Sequence, residues 1–288
     1  MRNALTPKPR SLPGLVRLLA QPRFELVPVM GAEDEFGHLP QGATVSITSS
    51  PRKGLDPTLR LCEALAERGF RPVPHLAARL VESRSHLDEI AARLGGIGVR
   101  EIFAVGGDSA RPAGPFDSSL AMLAALAEMG HQFDRVGVAG YPERHPLIEA
   151  SALRRILLDK QPYASYLVTQ ICFDPGTVVA WIRSIRDAGF ALPVHIGVPG
   201  VVSRAKLLGI SVKIGVGDSL RFLRKQGSVV ARLARGGGGY RPDGFVRGIA
   251  DLLEPDPLGV VGFHINTFNQ VQRTERWRQE MLASARSA

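Results

Sequence analysis

What this chain has little of narrows its possible roles first. It holds only two cysteines, Cys62 and Cys172. That is too few for a disulfide framework, and both fall where a helix and a strand are expected, as core thiols. No apolar run approaches the roughly 20 residues needed to cross a bilayer. The segment from Met1 to Pro13 is basic but leads into no apolar stretch with a small-residue cleavage site, so a cytoplasmic protein without a signal peptide or membrane partner is expected. His75, His145, His195 and His264 come from separate segments without cysteine or carboxylate spacing, and no metal cluster is expected. The run Gly236–Gly239 lacks dinucleotide-fingerprint spacing and follows no strand; it reads as a hinge or lid. The net charge is +9, but the arginines are scattered among acidic residues rather than gathered with aromatics. A solvated basic surface is expected, with no nucleic-acid partner. Nothing in the pattern sets an oligomeric state.

What is present is a repeating unit. The 288 residues are 44% hydrophobic, enough for a large core. Strands are expected at 24–30, 43–48, 71–77, 101–105, 135–138, 166–173, 193–199 and 259–265, nearly all followed by amphipathic helices. Asp56, as a cap before Pro57, opens the first of these helices. Such alternation calls for a parallel sheet covered on both faces, and about eight units favour closure into a (β/α)8 TIM barrel over an open sheet. The expected organisation is an N-terminal extension, 1–22, with a short helix from Leu12 to Ala20. A single barrel domain, 23–288, follows, with a mostly helical insert at 201–256 before the last strand.

In a barrel, polar residues at the C-terminal ends of strands are the candidates for chemistry. Here they include Glu25, Thr48, His75, Asp108, Tyr141, His145, Gln170, Asp174 and Asn269. Glu25 interrupts an apolar strand. A buried carboxylate is costly unless neutral or paired, so it is expected either as an acid with a raised pKa or in a structural ion pair. Asp108 suits a cap or a ligand cation equally. Gln170 offers both a donor and an acceptor, as the edge of a heterocycle or a core hydrogen bond would require.

Five segments carry a family likeness. Val138-Ala139-Gly140-Tyr141-Pro142-Glu143-Arg144-His145-Pro146 is similar to the VAGYPExHPE signature of the 5,10-methylenetetrahydrofolate reductases. Phe24–Pro28 resembles the family's FEFFP, Gly107-Asp108 the end of its RGD, Thr169–Asp174 its TQxFFD and, more weakly, Thr267–Asn269 its TLN. The resemblance runs from about Phe24 to the C-terminus. It implies a barrel enzyme of one-carbon and methionine metabolism that reduces methylenetetrahydrofolate with NAD(P)H, NADH being the favoured donor. It also implies Glu25 as the catalytic acid, Asp108 as a second catalytic residue near the pterin, and Gln170 and Asn269 as substrate contacts. Thr48, His75, Tyr141, His145 and Lys160 would face the cofactor.

The departures cluster on the flavin side. Gly106 replaces the RGD arginine, and Thr48–Lys53 replaces TYGAGG. His75–Arg79 replaces HLTCxD, Phe116–Leu120 replaces YASDL, and Ala152–Lys160 replaces DLLNLKxK. FAD is therefore doubtful, and direct hydride transfer from nicotinamide to folate is the reading favoured. On the folate side only Gln270 departs, standing where the family has arginine. The rival readings are an ordinary flavin enzyme, the reverse oxidation, and a non-catalytic folate-binding barrel.

Overall fold

The structure is a computed structural model that describes residues 12–143, 145, 148–203, 239–254 and 257–287. Its frame is a closed barrel of parallel strands in the order β1 to β8. In chain order the elements are helix α1 (Pro13–Ala20), β1 (Arg23–Leu26), β2 (Thr44–Ile47), α2 (Asp56–Glu67), β3 (Arg71–Ala77), α3 (Arg84–Gly96), β4 (Glu101–Val105) and α4 (Ser119–Met129). They continue with β5 (Arg135–Gly140), α5 (Ala150–Lys160), β6 (Tyr166–Thr169), α6 (Pro175–Asp187), β7 (Val194–Pro199), α7 (Asp243–Leu252), β8 (Val260–Asn266) and α8 (Val271–Ser287). Among the described residues no helix is long and apolar enough to cross a membrane.

The expected barrel is present, and its element ends have local causes. Helices α3 and α4 begin where the Ser83 and Ser118 hydroxyls accept N–H bonds from His86 and Ala121. Asp56 is not the cap of α2 but its first residue, and its carboxylate pairs with Arg60 at 2.9 Å and Arg93 at 3.1 Å. Strand β1 stops at Leu26, short of the expected Met30. The Asn269 side chain takes both backbone groups of Val27, donating to its carbonyl at 2.9 Å and accepting its N–H at 2.8 Å. Pro28, which follows, has no N–H to continue a ladder. The segment expected as an N-terminal extension is, in its described part, packed on the barrel. Leu15, Leu18 and Leu19 of α1 are buried, and Arg17 donates to the carbonyl of Val260 at 2.8 Å. Of the expected helical insert, 204–238 and 255–256 lie outside the described residues, and with them most of the Gly236–Gly239 run; α7 is its described helix.

The main core lies between strands and helices, built from alternate strand residues such as Phe24, Leu26, Val45, Ile47, Leu76, Ile102, Ile196, Phe263 and Ile265. The remaining alternate positions fill the barrel interior, and there the chain is unusually polar. Arg23 forms an ion pair with Glu101, donates to the Tyr166 hydroxyl at 3.0 Å and lies over that ring at 4.6 Å from its centre. Phe103, Tyr166 and His195 complete this lower layer, with Phe103 and Tyr166 stacked at 6.5 Å. Gly137 is required beside them, because a Cβ there would run into the rings of both Tyr166 and Phe103. The lower barrel is thus a packed plug rather than a pore.

Candidate active site at the barrel mouth

Above that plug sits Glu25. The register places it beside Asn266 of β8 and Ser46 of β2. The Asn266 amide donates to Oε1, and His264 Nε2 stands 3.0 Å from Oε2. His75 Nε2 is 3.7 Å from the same oxygen. Phe103 packs on both imidazoles, its ring centre 4.7 Å from that of His75 and 6.4 Å from that of His264. Thr267 anchors the Glu25 backbone from behind, its hydroxyl donating to the Glu25 carbonyl at 2.6 Å.

This environment corrects the expectation of a raised pKa. Burial does push the Glu25 carboxyl up, but the hydrogen bond from His264, the fields of His75 and His264 and the bond from Asn266 together hold it below the ordinary carboxylate value. Burial pushes His75 down to about 4 despite the pull of Glu25, so His75 is uncharged at neutral pH. The bonds from His264 and Asn266 are then what keep Glu25 ionised. His75, expected at the cofactor, stands instead beside Glu25 inside the barrel, two residues short of the end of β3.

A second group lies across the mouth. The Tyr141 and His145 rings meet edge to face, 4.9 Å between centres. Burial raises the Tyr141 phenol, and the charge of Asp108 adds to the rise. Burial lowers His145, against Asp108 and together with Lys160. Lys160, the last residue of α5, is pushed down to about 8 by burial. It lines a cavity of about 130 Å³ with Gly140, Tyr141, Leu153 and Trp181. The structure therefore groups Asp108, itself exposed, with Tyr141, His145 and Lys160 rather than with Glu25. A larger cavity of about 250 Å³, between Arg241 and Trp277, is lined by none of these side chains.

The other expected residues divide. The Gln170 side-chain oxygen accepts from the N–H of Ile171 at 3.0 Å, leaving its NH2 for a ligand at the end of β6. Thr48 is half-buried at the end of β2, its carbonyl accepting from Thr58 at 2.8 Å. Asn269 is a clip on Val27 in a left-handed backbone conformation, φ 54°, so its observed work is positional. Asp174 caps α6, accepting from Gly176 at 3.0 Å and Thr177 at 2.7 Å. His264 and Asn266 were missed as site residues. Their signal was the alternation Gly262-His264-Asn266, which puts two polar side chains on one face of an apolar strand. The expectation of no metal-ligand cluster also needs correction. A barrel draws separate strands together, and Glu25, His75 and His264 lie with ligand atoms within 4.8 Å of one another.

A closed α/β barrel with a paired, largely buried carboxylate at its C-terminal mouth defines an enzyme-like member of the (β/α)8 class. Comparison with known proteins narrows the class. The family pattern of methylenetetrahydrofolate reductase matches residues 37–212, more than half of the chain, and the chain belongs to that family. The matched span takes in Asp108, Tyr141 and Gln170 and excludes Glu25 and Asn269. Methylenetetrahydrofolate reductase 1 of Schizosaccharomyces pombe is 28% identical over 93 residues, which are 30% of this chain and 15% of that protein, so the chain spans a small part of this relative's length. Two solved structures align along most of the chain. One is a candidate deoxyribose-phosphate aldolase of Toxoplasma gondii, with TM-score 0.48, 11% identity and coverage of 95% of this chain and 98% of that one. The other is a candidate lyase/mutase of Burkholderia cenocepacia, with TM-score 0.47, 12% identity and coverage of 96% and 84%. Neither likeness bears on activity.

Proposed function

We propose that the protein reduces a 5,10-methylenetetrahydrofolate-type substrate to the 5-methyl product, with hydride passing directly from NAD(P)H and NADH the favoured donor. The observation that carries the reading is Glu25: in a chain of this family, a largely buried carboxylate at the barrel mouth is oriented by donors from β8. Reduction begins with opening of the imidazolidine ring. The bond from the bridging carbon to the anilino nitrogen breaks, its electron pair leaves with that nitrogen, and a proton is taken up there. The bridging carbon becomes an iminium cation. A proton taken up from solvent is relayed to that nitrogen through the Glu25–His264 pair, which leaves the Glu25 carboxylate facing the cation it stabilises. Gln170 offers its NH2 to the pterin edge. Hydride from nicotinamide C4 completes the methyl group, and oxidised NAD(P) leaves. The chain's task in that step is to hold the two carbons at attack distance. Asp108 acts at the hydride-donor end, where its charge reaches Tyr141 and His145.

At the β4–α4 loop the donor set is poor for the family's flavin dinucleotide. A buried pyrophosphate needs cations or unclaimed N–H groups. Arg79 is instead spent on three carbonyls of the β4–α4 loop, donating to Ser109 at 2.7 Å, Ala110 at 2.8 Å and Asp117 at 3.0 Å. The N-terminus of α4 is capped by Ser118, which accepts from Ala121 N–H. A nicotinamide donor that arrives and departs can leave its phosphates nearer solvent.

The test joins the visible spectrum of the purified protein, before and after added FAD, to NADH oxidation with and without methylenetetrahydrofolate. A colourless protein that oxidises NADH only when the folate is present is expected. Stoichiometric flavin would overturn direct transfer, and absence of turnover under either condition would favour a binding protein. Glu25→Gln is expected to lower turnover about 10²–10⁴-fold; full activity in that variant would remove Glu25 from the mechanism.

A further inference from the structure

The geometry points to a second use of the Glu25 cluster: Glu25, His75 and His264 form a binding site for one divalent transition-metal ion, of the Zn²⁺ or Co²⁺ type, that takes the catalytic carboxylate out of service. Two imidazoles and one carboxylate are the donor set such ions favour. With metal–ligand bonds of about 2.0–2.2 Å, tetrahedral ligand atoms stand about 3.3–3.6 Å apart. The distances from Glu25 Oε2 to His264 Nε2, 3.0 Å, and to His75 Nε2, 3.7 Å, bracket that spacing, and all three ligand atoms lie within 4.8 Å of one another, so binding would draw the two imidazoles together by side-chain rotation.

Burial supplies the second observation. His75 is 8% exposed and its Nε2 has no hydrogen-bond partner, although it is directed at Glu25. A buried, unpartnered nitrogen is costly, and a metal ion would use its lone pair. Phe103 packs on both rings and holds them in place. Asn266, bonded to the other carboxylate oxygen, would orient Glu25 as outer partners of metal ligands do. Binding asks for one rearrangement: His264 moves its proton from Nε2 to Nδ1, which has no partner in the structure. A water or substrate atom would complete the coordination. Mg²⁺, which prefers oxygen ligands, would not bind here.

The proposal is tested by direct binding, without turnover, so its failure and that of the reductase reading are separable. Metal-stripped full-length protein is titrated with Co²⁺, following the visible absorption of nitrogen-ligated cobalt, and then with competing Zn²⁺. One saturable equivalent is expected, with no competition from Mg²⁺. Loss of an outer partner alone typically weakens a metal about 10–100-fold, so His75→Ala and His264→Ala should each weaken it at least about 100-fold. Glu25→Gln, which keeps the shape of the side chain, should do the same and serves where a histidine variant fails to fold. The exposed His38→Ala should bind as the parent does. No saturable binding, or binding that survives all three site variants, overturns the inference. If the reductase reading also holds, Zn²⁺ inhibits turnover at the concentration at which it binds, and chelation restores it.

Discussion

Lowering the pH from 7 to 5 should destabilise this fold through its interior histidines, well before the carboxylates titrate. His195 and His75 are each 8% exposed, and both His195 ring nitrogens are buried without partners. Burial pushes His195 down to about 3, with the charges of Arg23 and Arg135 acting in the same direction. In the unfolded chain His195 titrates near the ordinary 6.5. Between the two values the unfolded state binds the extra proton, so stability is complete above 6.5 and is lost as pH falls toward 3. At about 1.36 kcal/mol per pH unit, the 1.5 units from 6.5 to 5 amount to about 2 kcal/mol through His195. His75, pushed down to about 4, contributes a similar amount over the same interval. His195→Phe fills the space beside Tyr166 and gives up no hydrogen bond. Urea unfolding at pH 7 and pH 5 should show the parent losing about 4 kcal/mol and the variant about half of that. If parent and variant lose stability equally, His195 is not held neutral and the reasoning fails.

Other outcomes follow from neighbouring features. Asn269→Ala removes two hydrogen bonds to Val27 and should cost about 1–3 kcal/mol, read as a lower melting temperature, because the loop after β8 is no longer clipped to β1. Gly137→Ala drives a methyl group into Tyr166 and Phe103 and should cost about 1–3 kcal/mol in urea unfolding; a neutral result would mean the plug can shift. Lys160 loses its charge as pH rises through about 8. If it holds an anionic group of the hydride donor, KM for NADH should climb across that interval, and Lys160→Met should flatten the climb without shifting the folate KM.

The barrel was legible because its signal is local. Short apolar segments that alternate with amphipathic ones, many ended by glycine or proline, allow few architectures, and every expected strand is present. Glu25 stood out for the same reason, as one carboxylate in an apolar run. Its chemical state did not, because that is set by His264 and Asn266, 239 and 241 positions away. No spacing rule reaches that far; only closure of β8 against β1 brings them together. Asn269 misled in a different way. A carboxamide near a strand end has the right chemistry for a ligand, and equally for a backbone clip, and only the left-handed turn that aims it at Val27 decides. Asp108 was placed with Glu25 by motif, whereas its charge is felt at Tyr141 and His145.

The plug of Arg23, Glu101 and Tyr166 has a kinetic consequence. With the barrel floor closed by these side chains, a folate and a nicotinamide that react at Glu25, as proposed, would both have to enter from the strand C-terminal side. On that reading, whichever entered first would lie beneath the other and stay until the upper guest departed. Turnover would then require both guests together, in a fixed order of arrival and departure, with no half-reaction that either completes alone. The later guest, supplied in excess, would enter too early and obstruct the doorway, slowing the reaction it normally drives.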